Sequence, residues 1–234
     1  MSDGPGVIQA AGVVVPAHDE EVLLPACLAA VRQAASAVSI PVHVLVVADT
    51  CNDRTTDIAW ASGARVIGIR ARNVGAARAA GMTELLRITA GCDRAATWLA
   101  TTDADTVVPP GWLRRQLEYA NAGWDVVLGT VIVADWDEHP PHVPDAFEKH
   151  YAFGAGPHPH VHGANLGIRA SAYRAAGGFP PLHTAEDHAL LAAATEAGRP
   201  VLQAGDIAVE TSARRQARAP RGFSHLLRTL ADAS

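Results

Sequence analysis

Two aspartates, Asp103 and Asp105, follow directly after an apolar run that begins at Thr97. The run predicts a strand from Thr97 to Thr102, so both carboxylates would lie at one edge of a sheet. Carboxylate oxygens suit Mg2+ or Mn2+, and these ions commonly keep coordination positions for substrate phosphates. The pair therefore indicates a metal site for phosphate chemistry. The alternative is that both residues only end a strand before the turn-forming segment 109–111.

Polar side chains also follow three other predicted strands. They occupy the segments PAHDEE (16–21), DTCND (49–53) and RARN (70–73). The carboxyl ends of parallel strands meet at one edge of a sheet, so these side chains should converge there with Asp103 and Asp105. Each also has a local alternative, because Asp19 and Asn73 could cap helices and Asp53 could form a turn with Thr55.

Continuous apolar runs alternate with helical patterns through the first half of the chain. The predicted strands are Val13–Pro16, Val42–Ala48, Arg65–Ile69, Thr97–Thr102 and the apolar stretch Asp125–Ala134. The predicted helices are one containing Leu24, Cys27, Leu28 and Val31, then Asp57–Ser62, Val74–Ile88 and Gly111–Ala122. This order predicts an α/β fold with a mostly parallel sheet flanked by helices. A smaller, irregular second half follows, with helices at Ser171–Ala176 and Glu186–Gly198 and a strand at Val201–Gln203.

Composition narrows the class of protein. The chain has 234 residues, 49% of them hydrophobic and 18% charged, which is typical of a globular protein. A net charge of -5 gives no general attraction to nucleic acid. The three cysteines show no CxxC spacing, so a reducing cytoplasm is expected. No apolar run approaches the roughly 18 residues of a membrane helix, so a soluble protein without a transmembrane segment is expected.

Several segments together resemble the family 2 glycosyltransferases with the GT-A nucleotide-sugar fold. The segments are VVVPAHDEE (13–21), VLVVADTCNDRTTDIA (44–59), ARNVGAARAAGM (71–82), DAD (103–105), HGANLGIRASAYRAAGGF (162–179) and the pair Glu186-Asp187. The resemblance covers about residues 12–212, with His18 where asparagine is usual. It implies one GT-A domain over 1–234, with a nucleotide-sugar half (12–135), an acceptor half (136–212) and a basic tail (213–234).

The resemblance also implies roles for individual residues. The nucleotide would be bound by Pro16, Ala17, Glu20, Asp49, Arg78 and Asp103. Asp105 would bind the metal, Mg2+ or Mn2+, and Asp187 would be the general base. Gly163, Asn165 and Glu186 would line or support the acceptor site.

The implied reaction is metal-dependent transfer of a sugar from a nucleoside-diphosphate sugar, a UDP- or GDP-sugar, to an acceptor hydroxyl, with inversion. The acceptor would be a small molecule, a glycan or a lipid, and a homodimer is one assembly that the sequence leaves open. The processive membrane synthases of the family are excluded, because QxxRW is absent and a soluble bacterial enzyme fits better. Asp187 has a structural alternative, since Thr184-x-x-Asp187 also matches a capping box.

Three features depart from the family or remain open. The usual downstream histidine ligand is missing from segment 209–214, which leaves His188 and His225 as candidates. The arginines of the tail (Arg214, Arg215, Arg218, Arg221 and Arg228) either form a solvated face or close over a diphosphate. The alternating His158, His160 and His162 favour a polar acceptor wall over a zinc site.

Parts of the sequence are also compatible with two other classes of function. DADTV also matches a haloacid dehalogenase-like phosphatase, with Asp103 as nucleophile and Lys149 and Gly205-Asp206 in support. A non-catalytic nucleotide-sugar-binding protein is the other. The dinucleotide GxGxxG and Walker motifs are both absent.

Overall fold

A computed structural model describes residues 6–151, 158–214 and 223–232. Its strands are β1 (Ala10–Ala17), β2 (Val42–Asp49), β3 (Arg65–Ile69), β4 (Thr97–Thr101), β5 (Thr106–Val107), β6 (Val126–Ile132), β7 (Leu166–Arg169) and β8 (Val201–Thr211). Its helices are α1 (Leu24–Ser36), α2 (Thr55–Ala61), α3 (Val74–Ile88), α4 (Trp112–Asn121), α5 (Val143–Tyr151), α6 (Ala170–Ala175), α7 (Glu186–Glu196) and α8 (Phe223–Asp232).

The strands form one mixed sheet in the order β3-β2-β1-β4-β7-β6-β8-β5. The first four strands in this order are parallel, as is the β6–β8 pair. β7 is antiparallel to both β4 and β6, and the short β5 is antiparallel to β8. The predicted α/β class with a mostly parallel sheet flanked by helices is confirmed. All strands that carry predicted site residues at their carboxyl ends therefore open onto the same edge.

Burial on both faces explains why β1 is a continuous apolar run. Val13 and Val15 pack into the core layer formed with α1 and α4, while Val14 packs into the opposite layer with α3 and α7. All three side chains are fully buried. Since successive side chains of a strand point to opposite faces, helices on both faces require an apolar residue at every position.

The predicted element bounds hold best in the first half. β3 and α3 begin and end at the predicted residues, and Asn73 caps α3 by accepting a hydrogen bond from the Ala76 amide at 2.9 Å. The last strand was predicted to end at Gln203, yet β8 continues to Thr211. It crosses an irregularity opposite Leu128 and Thr130, so the polar residues in its middle do not end the strand. α5, β7 and α8 were not predicted.

Over the described ranges 6–151, 158–214 and 223–232, every helix is too short or too polar to cross a membrane.

Candidate active site

A cavity of about 720 Å³ lies at the carboxyl edge of the parallel strands. Its walls are the carboxyl ends of β1 and β2, the segments that follow β1, β3, β4 and β8, and parts of α3, the 161–164 segment, the start of α7 and α8. Ten of the residues singled out in the sequence line it: Pro16, Ala17, Glu20, Asp49, Arg78, Asp103, Asp105, Gly163, Glu186 and Asp187. Convergence at one sheet edge thus brings together residues separated by up to 171 positions, the difference between 187 and 16.

Arg78 is the buried centre of one side of the cavity. Its guanidinium donates to Asp103 Oδ1 at 2.5 Å and to Glu186 Oε1, and its side chain is 3% exposed. Glu186 is also buried, whereas the Asp103 side chain is 37% exposed. Burial raises the pKa of Glu186, although Arg78 opposes the shift. Arg78 therefore ties the DAD segment after β4 to the first residue of α7.

Arg214 has the equivalent role on the opposite side. It donates to both carboxylate oxygens of Glu20, at 2.7 and 2.8 Å, and its Nη2 forms an ion pair with Asp105 Oδ2 at 2.8 Å. Burial raises the pKa of Asp105; Arg214 opposes this shift, and the nearby carboxylates of Asp103 and Glu20 reinforce it. Each aspartate of the DAD segment is thus held by a different arginine.

The carboxylate of Asp49 organises the loop that precedes α3. Its two oxygens accept hydrogen bonds from the backbone amides of Ala71, Arg72 and Asn73 at 2.8 to 2.9 Å. Burial alone would raise the pKa of Asp49, but these three bonds and one from the Thr50 hydroxyl lower it. Asp49 lines the cavity and is ionised at neutral pH.

Backbone strain is concentrated around this cavity. Asp19, Thr50, Arg72 and Ala185 all have positive φ, between 47° and 61°. Arg72 and Ala185 line the cavity, and Asp19 and Thr50 are next in sequence to the lining residues Glu20 and Asp49. A positive φ at a residue other than glycine is uncommon and often accompanies a functional loop.

Asp187 is oriented towards the cavity by backbone donors. Its Oδ2 accepts from the Gly163 amide and its Oδ1 from the His188 amide, both at 2.8 Å. The capping-box interpretation is wrong, because α7 begins after Ala185 in a left-handed conformation and no side chain caps it. That conformation turns the chain so that Glu186 and Asp187 both line the cavity.

Gly163 and Asn165 have different places in the structure. A Cβ at Gly163 would collide with the Arg78 guanidinium, so glycine is required there for close approach. Asn165 is fully buried beneath the cavity and is not among its lining residues. It donates to the carbonyls of Thr130 and Ile207 and accepts from Trp112, so it joins β6, β8 and α4 under the acceptor segment.

The three alternating histidines form an aromatic stack with Tyr151. His160 stacks on Tyr151 with ring centroids 3.8 Å apart, and His158 and His162 flank His160 at 5.9 and 6.1 Å. Burial lowers the pKa of His162 to about 4, so its ring is neutral at pH 7. Only His162 of the three lines the cavity, and it also bonds to the Tyr151 hydroxyl at 2.7 Å.

The donor set at the DAD segment fits a divalent cation. Six carboxylates line the cavity (Glu20, Asp49, Asp103, Asp105, Glu186 and Asp187), and within the described residues two buried or half-buried guanidiniums, Arg78 and Arg214, pair with four of them. This excess of negative charge and the raised pKa of Asp105 favour an added cation. Asp103 and Asp105 would supply oxygen ligands, and substrate and water would supply the rest, as Mg2+ and Mn2+ accept.

No histidine joins that donor set in the part of the chain that the structure describes. Three side chains with ligand atoms within 4.8 Å of one another occur there at Asp19, Cys51 and Asp53, away from the DAD segment in sequence. These groups already serve the local backbone: Asp19 accepts from the Asn52 amide rather than capping α1, and Asp53 forms the expected turn with Thr55. His188 lines the cavity, whereas His225 is exposed on α8.

The phosphatase interpretation loses its supporting residues. Lys149 is exposed on α5, and Asp206 is exposed on β8, where it pairs with Arg115 and Tyr119. Neither residue lines the cavity. In the basic tail, Arg228 is exposed on α8, and Arg215, Arg218 and Arg221 lie outside the described residues.

Residues 12–177 match the profile of the family described as Glycosyl transferase family 2. Solved structures of low sequence identity share the fold. S. aureus TarS 1-349 in complex with UDP-GlcNAc has a TM-score of 0.65 at 16% identity, over 91% of this chain and 61% of that one. The mannosyltransferase PcManGT from Pyrobaculum calidifontis, in complex with GDP-Man and Mn2+, has a TM-score of 0.64 at 17% identity, over 98% and 63%. Glucosyl-3-phosphoglycerate synthase from Mycobacterium tuberculosis, in complex with Mn2+, UDP and phosphoglyceric acid, has a TM-score of 0.55 at 18% identity, over 95% and 76%.

A curated relative is similar over part of its length. The undecaprenyl-phosphate 4-deoxy-4-formamido-L-arabinose transferase of Aeromonas hydrophila is 34% identical over 126 residues, which are 51% of this chain and 36% of that protein. The chain therefore matches only about a third of this relative's length.

Proposed function

Because the chain belongs to glycosyl transferase family 2, we propose that it transfers a sugar from a nucleoside-diphosphate sugar to an acceptor hydroxyl, with a divalent metal ion and with inversion at the sugar. The observation that carries this proposal is the single cavity in which the DAD carboxylates and Asp187 face the same space. The DAD carboxylates suit a diphosphate with its metal counter-ion, and Asp187 suits removal of the proton from the acceptor hydroxyl.

The donor would lie along the segments after β1, β2 and β4. Pro16, Ala17 and Asp49 offer backbone and carboxylate groups for the base and ribose. Asp103 and Asp105 would hold Mg2+ or Mn2+, which when bound would neutralise the charge that develops on the departing diphosphate. The solved neighbours with UDP-GlcNAc, UDP and GDP-Man support a UDP- or GDP-sugar as donor.

Asp187 is the proposed general base. Its carboxylate has about four lone-pair sites, and the two described bonds come from backbone amides. An acceptor hydroxyl can therefore donate its proton to a remaining site, while the Gly163 and His188 amides fix the orientation of the carboxylate. A single displacement assisted by one base inverts the sugar.

The negative charge of Glu186 and Asp187, at the part of the cavity proposed to bind the acceptor, favours a neutral hydroxyl over a phosphate as the acceptor group. The name of the Aeromonas relative gives a lipid phosphate as that protein's acceptor. A phosphate is already ionised, so it needs no base, and Glu186 and Asp187 would repel it. Arg78 is already paired with Glu186 and Asp103, which limits its attraction for a further anion. A sugar or other alcohol, carried on a small molecule, glycan or lipid, suits this end better.

A thermal-shift panel tests the proposal. UDP, GDP and their sugars are added with Mn2+ or with EDTA, to the parent and to Asp105→Asn. A ligand at about 100 times its Kd raises the free energy of unfolding by about 2.7 kcal/mol, which is a shift of roughly 5–10 °C for a protein of this size. We expect such a shift with one nucleotide series, and only with Mn2+ and an intact Asp105. If none of the nucleotides raises the melting temperature, the donor site is refuted. If the melting temperature rises equally with Mn2+ and with EDTA, the role of the metal is refuted.

A further inference from the structure

The backbone of the segment that ends in Arg214 is attached to the turn that carries Asp105. β5 pairs with the end of β8, with Thr106 opposite Thr211 and their hydroxyls 3.0 Å apart. The Ser212 amide then donates to the Asp105 carbonyl at 3.2 Å. Arg214 is therefore placed beside Asp105 by strand pairing rather than by chance contact of a long side chain.

The Arg214 guanidinium holds two carboxylates at once. Both oxygens of Glu20 accept from it, and its Nη2 also lies 2.8 Å from Asp105 Oδ2. The Arg214 side chain is 20% exposed, and those of Glu20 and Asp105 are 6% and 13% exposed. Ion pairs shielded from water to this degree are coupled much more strongly than pairs on an open surface.

We propose that Arg214 competes with the divalent ion for Asp105 and so couples metal binding to diphosphate binding. This inference rests on the metal site of the proposed function. Asp105 Oδ2 already has a cationic partner in the protein alone, so an ion arriving by itself must displace that partner. The two contacts to Glu20 keep the displaced guanidinium at the cavity. Its fork of donors matches phosphate oxygens, so a nucleoside diphosphate restores the partner that Arg214 loses.

We assign this competition to Arg214 rather than to Arg78 because the two arginines differ in burial. The Arg78 side chain is only 3% exposed and is enclosed between Asp103 and Glu186, so it has little room to move away from Asp103. Asp103 also has a 37% exposed side chain, so one of its oxygens can take a second partner while Arg78 stays. The Asp105 side chain is less exposed than that of Asp103, whereas its partner Arg214 is more exposed than Arg78.

The test measures Mn2+ affinity directly, by electron paramagnetic resonance of free Mn2+, in the parent and in two variants. Arg214→Met removes the charge and keeps much of the apolar stem. Arg54→Met is the matched control, because Arg54 pairs at 3.3 Å with Glu21, the neighbour of Glu20 in sequence, and neither residue lines the cavity. Without nucleotide, Arg214→Met should bind Mn2+ at least about tenfold more tightly than the parent, the low end of the coupling measured for close charge pairs. Arg54→Met should stay within about twofold.

A second titration measures UDP or GDP, whichever stabilises the parent, at saturating Mn2+. Arg214→Met should bind it about tenfold more weakly, so the two affinities change in opposite directions. Should Arg214→Met not fold, Arg214→Lys replaces it. A lysine point charge cannot hold Glu20 through a fork and Asp105 together, so about threefold tighter Mn2+ binding is expected there.

Equal or weaker Mn2+ binding by Arg214→Met overturns the inference, and so does a gain of the same size in Arg54→Met. Undetectable Mn2+ binding in parent and variant alike also overturns it. The proposed function fails by a different result, which is the absence of any nucleotide-dependent stabilisation of the parent.

Discussion

Replacing Arg78 by methionine should lower the free energy of unfolding by about 3 to 5 kcal/mol, because it removes one partner of a buried ion pair. The structure shows where this loss arises. Glu186 has a 5% exposed side chain and would keep its charge without a partner, whereas Asp103, at 37%, can recover hydration. Most of the destabilisation should therefore come from Glu186.

The double variant Arg78→Met/Glu186→Gln isolates that contribution. A neutral amide costs less to bury than an unpaired carboxylate, so the double variant should recover about 1 to 3 kcal/mol of the single variant's loss. Urea unfolding at pH 7, followed by tryptophan fluorescence, measures both values. Arg115→Met is the control, since its ion pairs with Glu118 and Asp206 are exposed, and it should cost at most about 1 kcal/mol. A loss below about 1 kcal/mol for Arg78→Met, or no recovery in the double variant, would refute the reasoning.

Asp187→Asn should keep the fold and the donor affinity, while the rate of transfer to an alcohol acceptor falls about a hundredfold or more, measured as product formed per enzyme. A near-normal rate of transfer would show that Asp187 is not the base. Asp49→Asn should cost about 2 kcal/mol in urea unfolding at pH 7, because three backbone amides lose a charged acceptor. The pKa of Asp49 is lowered in the folded protein, so its contribution is present above the unfolded pKa and is lost as pH falls through the folded value. The difference between parent and Asp49→Asn should therefore shrink in acid, and a difference that grows there would contradict this account. Gly163→Ala should lower the free energy of unfolding by about 1 to 3 kcal/mol and weaken donor binding, because the added Cβ meets the confined Arg78 guanidinium. In the control Gly91→Ala the added Cβ meets open space, so the free energy of unfolding should hardly change.

The sequence predicted the parts of the fold that local patterns determine. β3 and α3 have the predicted bounds, because apolar periodicity and the Asn73 cap act over a few residues. The meeting of polar segments at one sheet edge was also predictable, since it follows from parallel strands alone. The end of β8 was not, because its second half is held by pairing with β6 beyond an irregularity rather than by its own residues.

Contacts between distant residues explain the remaining differences at the site. Arg214 could be recognised in the sequence as a basic residue near the missing histidine ligand, but its pairing with Asp105 depends on β5 meeting β8 across 105 positions. The Thr184 and Asp187 pattern also matched a helix cap, but α7 begins after a left-handed Ala185 without a side-chain cap. Asn165 matched an acceptor motif, yet its amide bonds to strand carbonyls under the cavity. In each case tertiary placement decided which partner a polar side chain has.

The measurement that tests the central claim most directly is the release of nucleoside diphosphate from a panel of UDP- and GDP-sugars, with Mn2+ or EDTA, by the parent and by Asp105→Asn. The panel includes simple alcohol and sugar acceptors, and the products are identified by mass spectrometry. We predict release and sugar transfer from one donor series, dependent on both Mn2+ and Asp105. Undiminished turnover in EDTA, or nucleotide sugars left uncleaved and unbound by the folded parent across the whole panel, would contradict the account.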